Sequence, residues 1–117
     1  MSGAVSYHAG LCAEEGVAAS YLRAGLDLVA RRWRGAGGEI DLILRDGGML
    51  VFVEVKKSRD FSRALARITE RQANRIFAAA GEFLAGEPTA MNTETRFDVA
   101  LVDSMGRIQL IENAFGP

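Results

Sequence analysis

The sequence predicts one α/β domain, a mixed sheet flanked by helices, in the order α-β-β-β-α-β-β. Two segments repeat apolar residues at helical spacing, and five shorter runs are rich in the β-branched and aromatic residues typical of strands. A chain of 117 residues, 49% of them hydrophobic and 25% charged, has the composition of a single globular domain. We therefore expect residues 1–117 to form one unit.

Two helices are predicted, over residues 10–24 and from Thr69 to Leu84. The first ends before Gly25, which fits a C-terminal cap. Its apolar face consists of Leu11, Ala18, Ala19 and Leu22. In the second helix, Thr69 and Gln72 form a capping-box pattern. Its apolar stripe consists of Ala73, Ile76, Phe77, Ala80 and Leu84.

Five strands are predicted from runs of apolar residues that are bounded by turn residues. They are Leu26–Trp33, Glu39–Arg45, Met49–Lys57, Arg96–Val102 and Arg107–Ile111. The second and third strands are joined by Asp46-Gly47-Gly48, a sequence typical of a tight hairpin turn. Residues 86–95 are expected to form a polar surface loop, and Ser104–Gly106 a short turn.

The distribution of charge is uneven. Residues 23–75 carry 12 of the 14 basic residues but only 7 of the 15 acidic ones. Such asymmetry suggests a basic face toward an acidic partner such as nucleic acid, but the counts alone favour a solvated surface of mixed charge, because segments of the chain need not be faces. The single cysteine, Cys12, excludes a disulfide within the chain and favours a reducing cytoplasm. No apolar run approaches the roughly 20 residues of a membrane span, and no signal peptide is expected.

Two acidic residues, Asp41 and Glu54, lie inside strands that are otherwise apolar. The register of the hairpin decides how they face each other. If Gly47-Gly48 are the central turn residues, Asp41 faces Glu54; if Asp46-Gly47 are central, Glu39 faces Glu54 and Asp41 lies diagonal to it. Either register puts both carboxylates on one face because strand side chains alternate with period two. A bulge or an odd-length loop would separate them.

Paired carboxylates in a buried strand pair predict a metal site. Two like charges opposed across a ladder are destabilising, and a hard divalent cation such as Mg²⁺ removes that repulsion. The backbone carbonyl of Val55 can add a ligand. Lys56 points to the same side as Glu54, where an ammonium can orient water or stabilise charge on a phosphate. Glu15, on the apolar side of the first helix, adds a further acid. The alternative is a structural ion-pair network.

Two motifs, in order and correctly spaced, carry a resemblance to a known family. Gly38–Ile43 (GEIDLI) and Phe52–Lys56 (FVEVK) resemble the YraN-like family of small bacterial proteins, similar to the PD-(D/E)XK nuclease superfamily and to archaeal Holliday-junction resolvases. The likeness covers nearly the whole chain. It implies a restriction-endonuclease-like core and a metal-dependent endonuclease that cuts nucleic acid, with branched or structured DNA as the substrate.

The resemblance also implies roles for individual residues. Asp41 and Glu54 would bind Mg²⁺ or Mn²⁺, while Lys56 and Glu15 would act in catalysis. Gln72, at the start of the second helix, would lie near the site as a further catalytic residue. Glu39 would assist by contacting the residues that bind the metal, without binding the metal itself. A symmetric homodimer would suit the two-fold symmetry of a DNA junction.

The chain also departs from the pattern of that family. The departures are Ile40 for Pro, Arg32 for Asn, Ser58 for Arg, Arg71 for Lys, and Ser62 for Gly. They concern contacts to substrate, because the expected metal-binding set is intact.

Basic residues near these motifs are candidate nucleic-acid contacts. The candidates are Arg34, Lys57, Arg59, Arg71 and Arg75. Arginine also recurs every four residues from Arg59 to Arg75, through Arg63 and Arg67, which predicts a phosphate-binding stripe or simply a soluble surface. Gly35–Gly38 is expected to form a loop that lets nucleic acid approach closely. Trp33 is expected to pack against the sheet, with base stacking as the alternative.

Other chemistries are less well supported. His8 is the only histidine, so a histidine-based triad is excluded and a surface position is expected. Two functions other than cleavage stay open: a module that binds nucleic acid without cutting it, and an adaptor that assembles with other proteins.

Overall fold

The structure, a computed structural model, describes residues 3–66 and 68–115, without the side chains of residues 3–11 and 91. Its helices are α1 (Gly3–Arg23), α2 (Phe61–Ala66) and α3 (Glu70–Leu84), with one 3₁₀ turn at Ala90–Asn92. Its strands are β1 (Asp27–Arg34), β2 (Glu39–Asp46), β3 (Met49–Lys57), β4 (Thr95–Val102) and β5 (Ile108–Ile111). The predicted mixed α/β class is confirmed, and the short helix α2 is an addition. No helix of the described ranges is long and apolar enough to cross a membrane.

The five strands form one mixed sheet in the spatial order β1-β2-β3-β4-β5. Three neighbouring pairs are antiparallel, whereas β3 and β4 run parallel. A parallel pair needs a crossover connection, and here the segment that contains α2 and α3 supplies it. Since α1 and α3 cover opposite faces, both sides of the sheet are buried.

Each face of the sheet has its own hydrophobic core. Under α1 the core is formed by buried side chains of the helix and of β2, β3 and β4, including Val17, Tyr21, Leu42 and Val53. Under α3 it is formed around Phe52, Ile40 and Ala80, with aromatic contacts among Phe52, Phe83 and Phe97. Helix α2 covers a third, smaller cluster through Ala64. The two main cores hold the central strands rigidly between the helices.

The hairpin register agrees with the first of the two alternatives. Asp46 pairs with Met49, so Gly47-Gly48 are the central turn residues. Gly47 has φ +62°, a left-handed conformation that glycine adopts without strain. The predicted cap at Gly25 is also confirmed, with φ +96° directly after α1.

The predicted apolar face of α1 is wrong in its phase. Leu22 is 46% exposed, and the buried stripe instead consists of Ala13, Val17, Ala18 and Tyr21. Alanine occurs on several sides of this helix, so its spacing alone did not define which side is buried. In α3 the predicted stripe holds for Ile76, Ala80 and Leu84, whereas Phe77 is 38% exposed. The side chain of Leu11 lies outside the described residues.

Candidate functional site

The regular alternation of two neighbouring strands breaks beside Asp41. Ile40 and Ile43 are three residues apart, yet both are fully buried in the core under α3, where regular alternation would put them on opposite faces. Ala30 and Trp33 on β1 pack against the same core at the same spacing. The break on both strands changes the direction in which residues between them point, and Asp41 is one of these.

Arg32 lies at the break on β1 and has φ +49°. A left-handed backbone is strained for arginine and is better tolerated by glycine or asparagine. The Arg32 guanidinium donates to a carboxylate oxygen of Glu14 on α1 at 3.1 Å. Strain of this kind tends to be retained at functional sites, where surrounding contacts hold it in place.

Asp41 and Glu54 meet where the β2–β3 ladder ends. The pairing runs as far as Leu42 opposite Val53, so the next pair in register is Asp41 with Glu54. Asp41 Oδ2 accepts a hydrogen bond from the backbone N–H of Val55 at 2.7 Å. The side chains of the two acids are close enough for each to act on the ionisation of the other. The expected pairing of these two acids is therefore present.

The surroundings of both acids disturb their ionisation. Burial and the nearby charge of Glu54 together raise the pKa of Asp41 to about 7, against the effect of the Val55 N–H bond. Burial also raises the pKa of Glu54, while its ion pair with Lys56 and the neighbouring Asp41 act in the opposite direction. Each of these neighbouring acids therefore affects the protonation of the other.

Lys56 lies beside this pair. Its Nζ is 3.3 Å from Oε1 of Glu54, and both side chains are largely buried, with 16% and 13% of their surfaces exposed. Glu39, which was expected to assist, lies farther out, where it forms an exposed ion pair with Arg34 at 3.0 Å. One ammonium thus faces two acids at the centre of the site.

A cleft of about 430 Å³ opens above Glu54. Its walls are the glycine loop (residues 35–38) on one side and the first two turns of α3 on the other. Charged and polar side chains of Arg34, Glu39, Gln72 and Arg75 line it. The N–H of Gln72 donates to Thr69 Oγ1 at 3.2 Å, so the predicted cap positions Gln72 at the start of α3. The structure therefore brings Gln72, Arg34 and Arg75 to the same cleft as Glu54.

The acid of α1 that faces the site is Glu14, not Glu15. Glu15 is exposed, so its expected place on the buried side is wrong. Glu14 is only 18% exposed in its side chain and contributes to the raised pKa of Asp41. The error has the same cause as the wrong helix face, because Glu14 is adjacent to Ala13 in the true buried stripe. A helical phase based on Val17 and Tyr21 would have identified it.

The predicted arginine stripe is not continuous. Of its described members, Arg63 lies in α2 and Arg71 and Arg75 lie in α3, and Ile68 and Thr69 between these helices are not helical. Arg63 pairs with Asp60 at the start of α2, and Arg67 lies outside the described residues. Only Arg71 and Arg75 share a helix, and both border the glycine loop.

The remaining candidate contacts lie elsewhere. Lys57 lines a second depression of about 280 Å³, together with Cys12 and the β4–β5 turn. Arg59 is exposed after β3, and its carbonyl accepts a hydrogen bond from Ser104. The five predicted nucleic-acid contacts thus divide into a group at the cleft and a group near the β4–β5 turn.

The glycine loop, which was expected to let nucleic acid approach closely, is packed against α3. The backbone N–H groups of Ala36 and Gly37 donate to the carboxylate of Glu82 at 3.0 and 3.2 Å. Trp33 contacts Phe83 edge to face at 5.5 Å, so its expected role in packing is present. The pattern of the sequence did not indicate Glu82, because its partners are more than forty residues away in the chain.

Comparisons with known proteins identify relatives of this chain. A model of the uncharacterised protein family UPF0102 matches residues 13–102. A UPF0102 protein of Cereibacter sphaeroides is 62% identical over 115 residues, 98% of both chains. UPF0102 proteins of Ruegeria pomeroyi and Roseobacter denitrificans are 56% and 54% identical, over 97% of this chain and 93% and 88% of theirs. These names state no activity, so a function has to be argued from the site.

Proposed function

We propose that this chain, which belongs to the uncharacterised protein family UPF0102, is a metal-dependent endonuclease that hydrolyses phosphodiester bonds in nucleic acid. One observation carries the proposal: Asp41 and Glu54 are largely buried neighbouring acids, Lys56 forms an ion pair with Glu54, and Glu54 lies in a cleft that arginine side chains line. The resemblance of the two strand motifs to the PD-(D/E)XK nucleases supports the same reaction and favours branched or structured DNA.

The donor set fits a hard divalent cation. Among the described residues no group of three His, Cys, Asp or Glu side chains is arranged as a metal site. Mg²⁺ does not need one, since it is commonly held by one or two carboxylates with water and substrate phosphate. Asp41 and Glu54 would hold it, and the Val55 carbonyl would add a ligand. A cation there would also offset the burial of both carboxylates and the repulsion of Asp41 by Glu54.

The other residues of the cleft have separate roles in this reaction. The bound cation would polarise the phosphate and lower the pKa of a water molecule. Lys56 would orient the attacking water or stabilise charge that develops on the phosphate. Arg34 and Arg75, on opposite walls, would bind neighbouring phosphates, and Gln72 would hydrogen-bond the substrate between them. The side of the sheet that bears α3 is thus the substrate side.

The cellular setting belongs to the proposal as well. A single exposed cysteine, Cys12, is suited to a reducing cytoplasm. DNA is the proposed partner, and a homodimer is the proposed assembly.

The proposal is tested by a cleavage screen with Mg²⁺ and Mn²⁺. Labelled single-stranded, duplex, flapped and branched DNA, and RNA, are incubated with the wild type and with Asp41→Asn and Glu54→Gln. We expect metal-dependent products that fall about 100-fold or more in both variants, because each loses a carboxylate of the metal site. Asp46→Asn, an exposed acid on the same hairpin, should cleave like the wild type.

Two further variants test which of the two acids of α1, Glu14 or Glu15, contributes to cleavage. Glu14→Gln should reduce cleavage, whereas Glu15→Gln should not, because only Glu14 lies close enough to affect Asp41. Absence of product from every substrate would overturn the nuclease. Salt-sensitive binding without cleavage, unchanged by Asp41→Asn, would establish the non-cleaving binding module instead.

A further inference from the structure

The glycine loop (residues 35–38) is fastened to α3 by a side chain that enters it. Both carboxylate oxygens of Glu82 accept backbone N–H groups of the loop, from Ala36 and from Gly37. The loop is also closed on itself, because the N–H of Gly35 donates to the carbonyl of Gly38 at 2.9 Å. One acid on α3 thus holds the opposite wall of the cleft.

The three glycines of the loop leave little room for a Cβ atom beside α3 and its side chains. A Cβ atom at Gly35 would lie 1.9 Å from Glu82 Oε2, and one at Gly37 would lie 2.9 Å from the Cβ of Ala78. A Cβ at Gly38 would lie 3.1 Å from the carbonyl oxygen of Arg75. The two walls are therefore in direct contact along α3 from Arg75 to Glu82.

This contact gives the cleft a closed end. The cleft lies on the N-terminal side of the contact, next to Gln72 and Ile76, and Glu54 forms its base. Its volume of about 430 Å³ is within the range of pockets that hold small ligands, about 300–1,000 Å³. B-DNA, whose major groove alone is about 12 Å wide, does not place both strands in a space of this size. The joined walls also prevent the cleft from widening without loss of the Glu82 bonds.

We infer that the segment of substrate that enters this cleft is an unpaired strand of nucleic acid. The inference rests on the proposed function and narrows it: flaps, gaps and single strands would be substrates, and fully paired duplexes and junctions would not. Arg34 and Arg75 on the two walls provide the positive charge that tracks a single backbone. The phosphate between them would then lie above Glu54.

Binding of matched oligonucleotides tests the inference. Fluorescence anisotropy is measured with a short labelled single strand, with the blunt duplex of the same sequence and with a fully paired four-way junction, at low salt with Ca²⁺. We expect the single strand to bind about tenfold or more tightly than either paired probe. Equal or tighter binding of the duplex or the junction, or absence of single-strand binding, would overturn the inference.

Variants of Glu82 test whether the hydrogen bonds between Glu82 and the glycine loop cause the preference for single strands over paired probes. Glu82→Gln keeps the size of the side chain but turns an amide NH₂ toward one of the two N–H donors, and Glu82→Asp is too short to hold both. We expect the preference for single strands to fall about threefold or more in these variants. Glu94→Gln removes the same charge from an exposed position and should keep the preference. An unchanged preference in a folded Glu82→Gln protein would contradict the role of the loop.

The same oligonucleotides separate this inference from the proposed activity. Cleavage in Mg²⁺ is measured on each probe after the binding experiment. A strong single-strand preference without any product would keep the inference and overturn the nuclease. Cleavage of fully paired duplex at the rate of the single strand would keep the nuclease and overturn the inference.

Discussion

At the scale of single residues, the charges around Asp41 are costly to bury. Asp41 and Glu54 are largely buried neighbours, Glu14 adds a third acid nearby, and Lys56 forms an ion pair with Glu54. Residues with strongly shifted pKa values and a specific charged neighbour, placed in a cleft, are typical of functional sites. Arg32 adds backbone strain at the same place. The residues of the proposed active site therefore lower the stability of the folded protein.

This destabilisation predicts a dependence on pH. The pKa of Asp41 is raised from 3.8 in the unfolded chain to about 7 in the folded protein, so the folded protein binds more protons between these values. The free energy of unfolding should therefore fall as the pH rises from about 4.5 to about 7.5, by roughly 2–4 kcal/mol, and level off above. Urea unfolding at several pH values measures this change in the free energy of unfolding.

Two variants isolate this effect from other titrating groups. Asp41→Asn keeps an acceptor for the Val55 N–H and removes the charge, so its pH dependence should be flatter and its stability at pH 8 higher than that of the wild type. Asp46→Asn removes an exposed acid of the same hairpin and should follow the wild type. A wild type whose stability changes with pH no more than that of Asp41→Asn would contradict the raised pKa.

At the scale of elements, the contact between the glycine loop and α3 shapes the cleft. Thr69 caps α3 and sets where Gln72 begins the helix. Glu82 near the other end of the helix holds the loop. One helix therefore supplies both a side of the cleft and the anchor of its opposite wall, so the cleft depends on the packing of the loop.

A methyl group at the loop contact should loosen it. Gly37→Ala places a Cβ 2.9 Å from that of Ala78, so we expect a loss of about 1–3 kcal/mol of stability from overpacking. Hydrogen exchange of the Ala36 and residue 37 amides should accelerate as well. Gly48→Ala is the matched control, because its Cβ meets nothing within 4 Å. Similar stabilities of the two variants would show that the loop does not pack closely on α3.

At the scale of the whole molecule, Asp98 joins three parts of the chain. This buried carboxylate of β4 accepts hydrogen bonds from Tyr21 of α1 at 2.8 Å and from the N–H of Asn113 after β5 at 2.9 Å. Arg96 forms two further bonds to it, at 2.9 and 3.0 Å. Burial, with the hydrogen bond to Asp98, raises the pKa of Tyr21 far above its usual value, so it stays a donor. The network fixes α1, and with it Glu14, against the sheet.

Removal of this charge should destabilise the whole domain. Asp98→Asn leaves Arg96 without its buried partner and weakens the acceptor for three donors, so we expect a loss of about 3 kcal/mol or more. Asp60→Asn removes only the exposed pair with Arg63 and should stay within about 0.5 kcal/mol of the wild type. Thermal or urea unfolding compares the two variants. A loss in Asp98→Asn no larger than in Asp60→Asn would refute the central role of Asp98.

Local patterns in the sequence determined the elements and the central pair of acids. Alternation and turn residues identified all five strands, and the Gly47-Gly48 turn was one of two registers that place Asp41 near Glu54. These features depend on neighbours in the chain, because hydrogen bonding within a hairpin and the period of a strand are local. The approximate start of α3 followed from its cap for the same reason.

Only the tertiary structure decided which side chains join that pair. It placed Glu14 and not Glu15 toward Asp41, because packing of α1 on the sheet defines the phase of an alanine-rich helix. It also brought Glu82 to the glycine loop across 46 residues of sequence. Contacts between distant segments arise from the packing of whole elements, and no local pattern encodes them. The acids at the centre of the site could thus be predicted from the sequence, whereas the cleft next to Glu54 could not.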